Sequence, residues 1–130
     1  MIRVKLCTVA ESIIVDGQTN TPSIINVLEG IQVESVPFYF PRLSMFVLWE
    51  RDLEDPAQYD AVFQVQVGDQ EVLHQPILVD FIDKPRCRTQ IQTSAIPIFD
   101  AATTVTFSIR LNDIDITASY SFSVDVREAE

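Results

Sequence analysis

Few side chains in this sequence are of the kinds that make or break bonds, and their spacing limits what they could do. General acid–base chemistry falls most often to histidine, and the chain has one, His74. It lies in Glu71-Val72-Leu73-His74-Gln75-Pro76 with no nucleophile motif at a companion spacing, so it reads as an ordinary strand histidine. The two cysteines, Cys7 and Cys87, are far apart, and neither has a neighbour at zinc-ligand spacing. There is no phosphate-cradling glycine loop and no nucleophile elbow. With 19 Asp and Glu, carboxylates must approach one another by chance, and a sugar-cleaving cleft is expected to carry more than the single tryptophan present. The expectation is a non-enzymatic protein without a cofactor.

Two patterns could bind instead of react. If successive strands run up and down, the first, third, fifth and seventh loops emerge together, carrying Asp16, then Glu50, Asp52, Glu54 and Asp55, then Asp80 and Asp83, then Asp113 and Asp115. Calcium takes several oxygen ligands from converging loops. Asp52, Asp55, Asp83, Asp113 and Asp115 are therefore the ligands of an alternative reading, a sandwich holding Ca²⁺ or a polar small molecule. Against it, no Asp-x-Asp-x-Asp loop is present, and Arg51, Lys84, Arg86 and Arg88 neutralise part of the charge. The second pattern is Phe38-Tyr39-Phe40 between Pro37 and Pro41. A proline-stiffened aromatic segment loses little entropy on docking, which makes Phe38, Tyr39 and Phe40, with Trp49 on the next strand, the expected interaction residues. The competing reading puts two of these three rings into the core and leaves the third outside.

The elements that position these residues follow period two. Val62–Val67 and Glu71–Val79, joined at Gly68-Asp69-Gln70, form a hairpin in which Gly68 supplies the backbone freedom of a tight turn. Further strands are expected over Arg3–Val15, Ser23–Val33, Leu43–Trp49, Arg86–Ala95, Thr103–Leu111 and Ile116–Val126, with corners at Val36–Pro41 and Ile96–Asp100. Ser23–Val33 also fits a helical face; β-branched content favours the strand. Leu43–Trp49 is apolar on much of both faces, as a central strand is, and an uncovered outer face there would serve self-association. The fold class expected is all-β: one domain over residues 1–130, an antiparallel β-sandwich of about 7–9 strands with immunoglobulin-like or C2-like topology.

Composition narrows the partners. A net charge of −10 argues against a nucleic-acid backbone binder. No apolar run has membrane-spanning length, and Glu11 interrupts the early apolar patch before a secretory core develops. Reduced cysteines and a cytoplasmic location are expected, with a protein partner or a homo-oligomer, and neither nucleic acid nor membrane.

Ser23-Ile24-Ile25-Asn26-Val27-Leu28-Glu29 followed by Phe40-Pro41, with strand hairpins to the end, resembles a family of small uncharacterised bacterial β-sandwich proteins. The resemblance implies a bacterial or phage-related origin and brings no catalytic residue. The sequence as a whole reads as a binding or assembly module acting through protein–protein contact, with self-association included.

Overall fold

A computed structural model describes residues 1–127, and every regular element in it is a strand. In chain order these are β1 (Arg3–Val15), β2 (Pro22–Val27), β3 (Gly30–Val33), β4 (Phe38–Phe40), β5 (Leu43–Glu50), β6 (Gln58–Val67), β7 (Gln70–Asp80), β8 (Arg86–Thr93), β9 (Ile96–Ile98), β10 (Ala102–Leu111) and β11 (Thr117–Val126). One sheet has the order β2-β1-β5-β8, the second β3-β11-β10-β6-β7, and β4 pairs β9 in a small third sheet. No helix of the described residues is long and apolar enough to cross a membrane.

The all-β sandwich expected from alternation is the observed fold. Tyr59, Ala61, Phe63 and Val65 of β6 are buried, as are Val105, Phe107, Ile109 and Leu111 of β10. They share one core with Val9, Met45, Val47 and Trp49 of the first sheet. Each such large side chain contributes roughly 1.5–3 kcal/mol when fully buried, which is why alternation alone sets the face each strand turns inward. Gly68 has φ +60° at the β6–β7 turn, the left-handed conformation anticipated there.

Three features differ from the sequence reading. Residues 23–33 form neither one strand nor a helix: Asn26 takes φ +58°, and the chain leaves β2 in the first sheet to become β3 in the second. β3 runs parallel to β11, so the pairing is not wholly antiparallel. The two expected corners pair with each other as β4 and β9, after a cis Val36–Pro37 peptide. These additions raise the strand count above the expected range.

Lettered in chain order, β1, β5 and β8 correspond to strands A, B and E, and β7, β6, β10 and β11 to C′, C, F and G. This is an immunoglobulin-type partition in which no D strand lies beside E among the described residues. Strands B and F, which an immunoglobulin disulfide joins, carry no cysteine here. Cys7 and Cys87 flank β5, opposite Val47 and Trp49, and both are free. Two strand spacings, about 9–10 Å, exceed the reach of a disulfide.

β1 has two halves. Arg3–Ala10 pairs with β5, whereas Ala10–Val15 pairs with β2 alone, making a two-stranded arm. The arm tip returns over the outer face of the first sheet: the Arg88 guanidinium donates to the Asn20 carbonyl, and Asn20 and Pro22 line a groove of about 690 Å³ with Leu6, Phe46 and Leu48. Thr8, Ala10 and Phe46 are thereby buried, although Phe46 alternates with the core residues Met45 and Val47 and points away from them. The outer face of β5, expected as a self-association surface if open, is covered by the chain's own arm at Phe46, while Leu48 stays half-buried and Leu6 of β1 exposed in the groove beside it.

Candidate functional site

The aromatic segment divides its rings between core and solvent. Strand alternation turns Phe38 and Phe40 to one side and Tyr39 to the other. Phe40 is buried, edge-to-face on Phe38 at 5.0 Å and on Phe122 at 5.8 Å. Phe38 is half-buried, while Tyr39 is 52% exposed and lies edge-to-face on Phe99, itself 58% exposed, with centroids 6.1 Å apart. The β4–β9 register, Tyr39 opposite Pro97, holds this surface pair on a base anchored in the core. Two of the three rings thus plug the sandwich, the competing reading of this motif.

Trp49 is corrected from an interaction residue to a core residue. It is completely buried, and its indole Nε1–H donates to Thr89 Oγ1 at 2.9 Å, so its polar group is satisfied internally. Phe40 is likewise withdrawn from the surface, leaving Tyr39 accessible, with Phe38 partly so.

The arm is the apolar surface that sequence reasoning missed. Ala10 pairs Val27, Ser12 pairs Ile25 and Ile14 pairs Ser23, so Ile14, Ile25 and Val27 share one arm face. They are 55%, 37% and 46% exposed. The opposite face carries the Ile13–Ile24 pair, which is half-buried. The signal was present in the sequence: Ile13-Ile14-Val15 and Ile24-Ile25 are apolar on both faces, unlike the one-sided alternation of β6 or β10. Glu11 at the arm root, which accepts from Asn26 Nδ2 at 2.9 Å, lines a cleft of about 550 Å³ with Leu28, Ile31, Phe38, Phe40 and Arg42. Arm root and aromatic strand therefore meet at one cleft, with Tyr39 turned away from it and Ile14, Ile25 and Val27 outside its lining.

The acidic loops do gather in part. Asp55, Asp113 and Asp115 border one hollow with Met1 and Tyr59, and Asp80 and Asp83 border another beside Pro56. They do not converge as ligands, since no three His, Cys, Asp or Glu side chains among the described residues are grouped to hold a metal ion. Cations of the chain occupy Glu50, Asp52 and Asp55 instead. The Met1 amine contacts both Asp52 and Asp55, and holds each below the usual carboxylate range; Arg3 adds to the effect on Asp52. Glu50 is lowered by Arg3 at 2.9 Å and Arg86 at 3.0 Å. Asp16 is also lowered, because its carboxylate accepts the Thr19 and Gln18 backbone N–H groups of its own turn. Arg51, buried, donates to the carbonyls of Lys84 at 2.8 Å and Asp55 at 2.7 Å and lies over the Phe81 ring, so it ties the β5–β6 and β7–β8 loops together.

The remaining reactive side chains are isolated. His74 is exposed, with Nδ1 2.6 Å from Glu71 on the same strand. Burial pushes both thiols up, Cys7 and Cys87 each to about 11, which leaves little thiolate at neutral pH.

A scan of protein-family models finds no match to this chain, and comparison with curated proteins finds no significant match.

Proposed function

We propose that this chain is a non-enzymatic binding module that docks a protein, a second copy of itself included, at the end of the sandwich where the arm and the aromatic strand meet. The observation that carries this is the apolar arm face of Ile14, Ile25 and Val27. Contiguous exposed apolar surface of this kind marks interfaces, and the Tyr39–Phe99 pair adds rigid aromatic surface at the same end. A bacterial origin, from the resemblance of residues 23–29 and 40–41, and a cytoplasmic setting belong to the same proposal.

Light scattering behind a sizing column tests it, with Ile14→Ser/Ile25→Ser and Tyr39→Ser/Phe99→Ser variants alongside the unaltered chain. A dimer that dissociates in either variant supports self-docking. If the unaltered chain is monomeric, a partner isolated by affinity capture must lose binding in the same variants. An assembly indifferent to all four substitutions overturns the proposal.

A further inference from the structure

β8 ends the first sheet with β5 as its one neighbour among the described residues, so one row of its backbone N–H and C=O groups meets no strand. The other sheet edges are blunted. β7 carries Pro76 and an extra residue, Val72, where its register against β6 shifts, β3 is four residues long, and β2 begins at Pro22 and closes around Asn26 at positive φ. β8 has neither proline nor bulge and pairs with β5 in unbroken register from Arg86 to Thr93.

Both faces of this edge are unfinished. On the inner face, Cys87, Thr89 and Ile91 remain half-exposed although they pack beside Trp49 and the core, and Val72 and Leu73 of β7 are half-exposed opposite them. A hollow of about 290 Å³ between the two edges is lined by Phe63, Val72, Leu73 and Ile91 on its apolar side and by Gln75, Gln92 and Ser94 on its polar side. A D strand would lie beside E at this edge. On the outer face stand Arg86 and Arg88, with Lys84 just before them: three of the chain's nine cationic side chains in five residues of an acidic protein. Arg86, 67% exposed, gives Nε to Glu50, and Arg88 gives one Nη to Asn20, so most of their five N–H donors are uncommitted among the described residues.

We propose that β8 accepts an extended segment of a partner protein as an added strand in the vacant D position. Its inward residues are apolar and fill the hollow against Val72, Leu73 and Ile91. Its outward residues are Asp or Glu facing Arg86 and Arg88. Backbone pairing supplies the docking, and the alternate side chains supply the selection. The site does not use the Ile14, Ile25 and Val27 face; Arg88, which also holds the arm tip at Asn20, is the residue the two share.

Fluorescence anisotropy with two labelled octapeptides, one alternating valine with glutamate and one alternating valine with lysine, tests this on the full chain. The glutamate peptide should bind about tenfold more tightly, because two exposed ion pairs change from attraction to repulsion between the peptides. Arg88→Glu, which leaves the Arg86–Glu50 pair in place, should shrink or reverse that preference. N-methylation of the edge-facing amides should abolish binding, and hydrogen exchange should show new protection within Arg86–Thr93. Ile14→Ser should leave peptide affinity unchanged, which separates this site from the arm. Equal affinity for both peptides, no binding of either, or protection appearing on β7 or the arm in place of β8 would overturn the proposal.

Discussion

Phe46→Ala measures how firmly the arm is seated, since Phe46 lies on the face of β5 turned away from the core and yet is only 1% exposed. On an uncovered sheet face the truncation would change stability by about 0.5 kcal/mol, as surface substitutions do. Under the arm it removes a fully buried ring and should cost about 3–5 kcal/mol. At roughly 3–4 °C per kcal/mol for a chain of this size, the midpoint should fall by about 10–20 °C. Urea denaturation followed by the fluorescence of the single buried Trp49 reads the free energy. Hydrogen exchange on the same variant should show faster exchange across the paired residues Ala10–Val15 and Pro22–Val27 before the rest of the sandwich opens. A loss under about 1 kcal/mol, with arm protection unchanged, would refute the placement of the arm over this face.

The remaining predictions concern single groups. Thr8 Oγ1 is buried with no hydrogen-bond partner among the described residues, so Thr8→Val should be neutral or raise stability by about 1 kcal/mol in the same denaturation assay. Ile82 is a β-branched residue at φ +51°, and Ile82→Asn should stabilise by about 1 kcal/mol because Asn tolerates that conformation; a lowered midpoint would count against it. Glu50 has its folded pKa depressed by Arg3 and Arg86, so its contribution is present above its ordinary value of 4.5 and is lost as pH falls toward the lowered value. Glu50→Gln should therefore be less stable near neutrality and show a shallower decline in that acid window, measured as thermal midpoint against pH. With thiol pKa values of about 11, Cys7 and Cys87 should react slowly with a maleimide at pH 7 and rapidly once the chain is unfolded, as mass spectrometry would show.

The acidic end illustrates how local charge counts mislead. Its loops gather only in part, into two separate hollows that leave Asp16 out, and the nearest cations are the chain's own: Arg3 and Arg86 on Glu50, the Met1 amine on Asp52 and Asp55. Arg51 appears in sequence as one more neutralising charge beside these carboxylates, but it is a buried tie between two loops, bound to backbone carbonyls. Ion pairs between residues separated by dozens of positions carry no local signature, because nothing in either segment specifies the other.

The sequence by itself determined what is local. Period-two alternation marked the inward residues of β6, β10 and β11, Gly68 marked the hairpin turn, and the near-continuous apolar run of β5 marked an interior strand, because side-chain direction and turn conformation depend on neighbouring residues. Tertiary structure decided what depends on distant partners. It paired Phe38–Phe40 with Ile96–Ile98, sent Phe40 and Trp49 inward and left Tyr39 outside beside Phe99. It also folded the Asn20 end of the arm over Phe46 and left β8 with an open edge. Strand order and the covering of faces are settled by which apolar surfaces find each other in three dimensions, and alternation is equally strong in a strand that is covered and in one that is not.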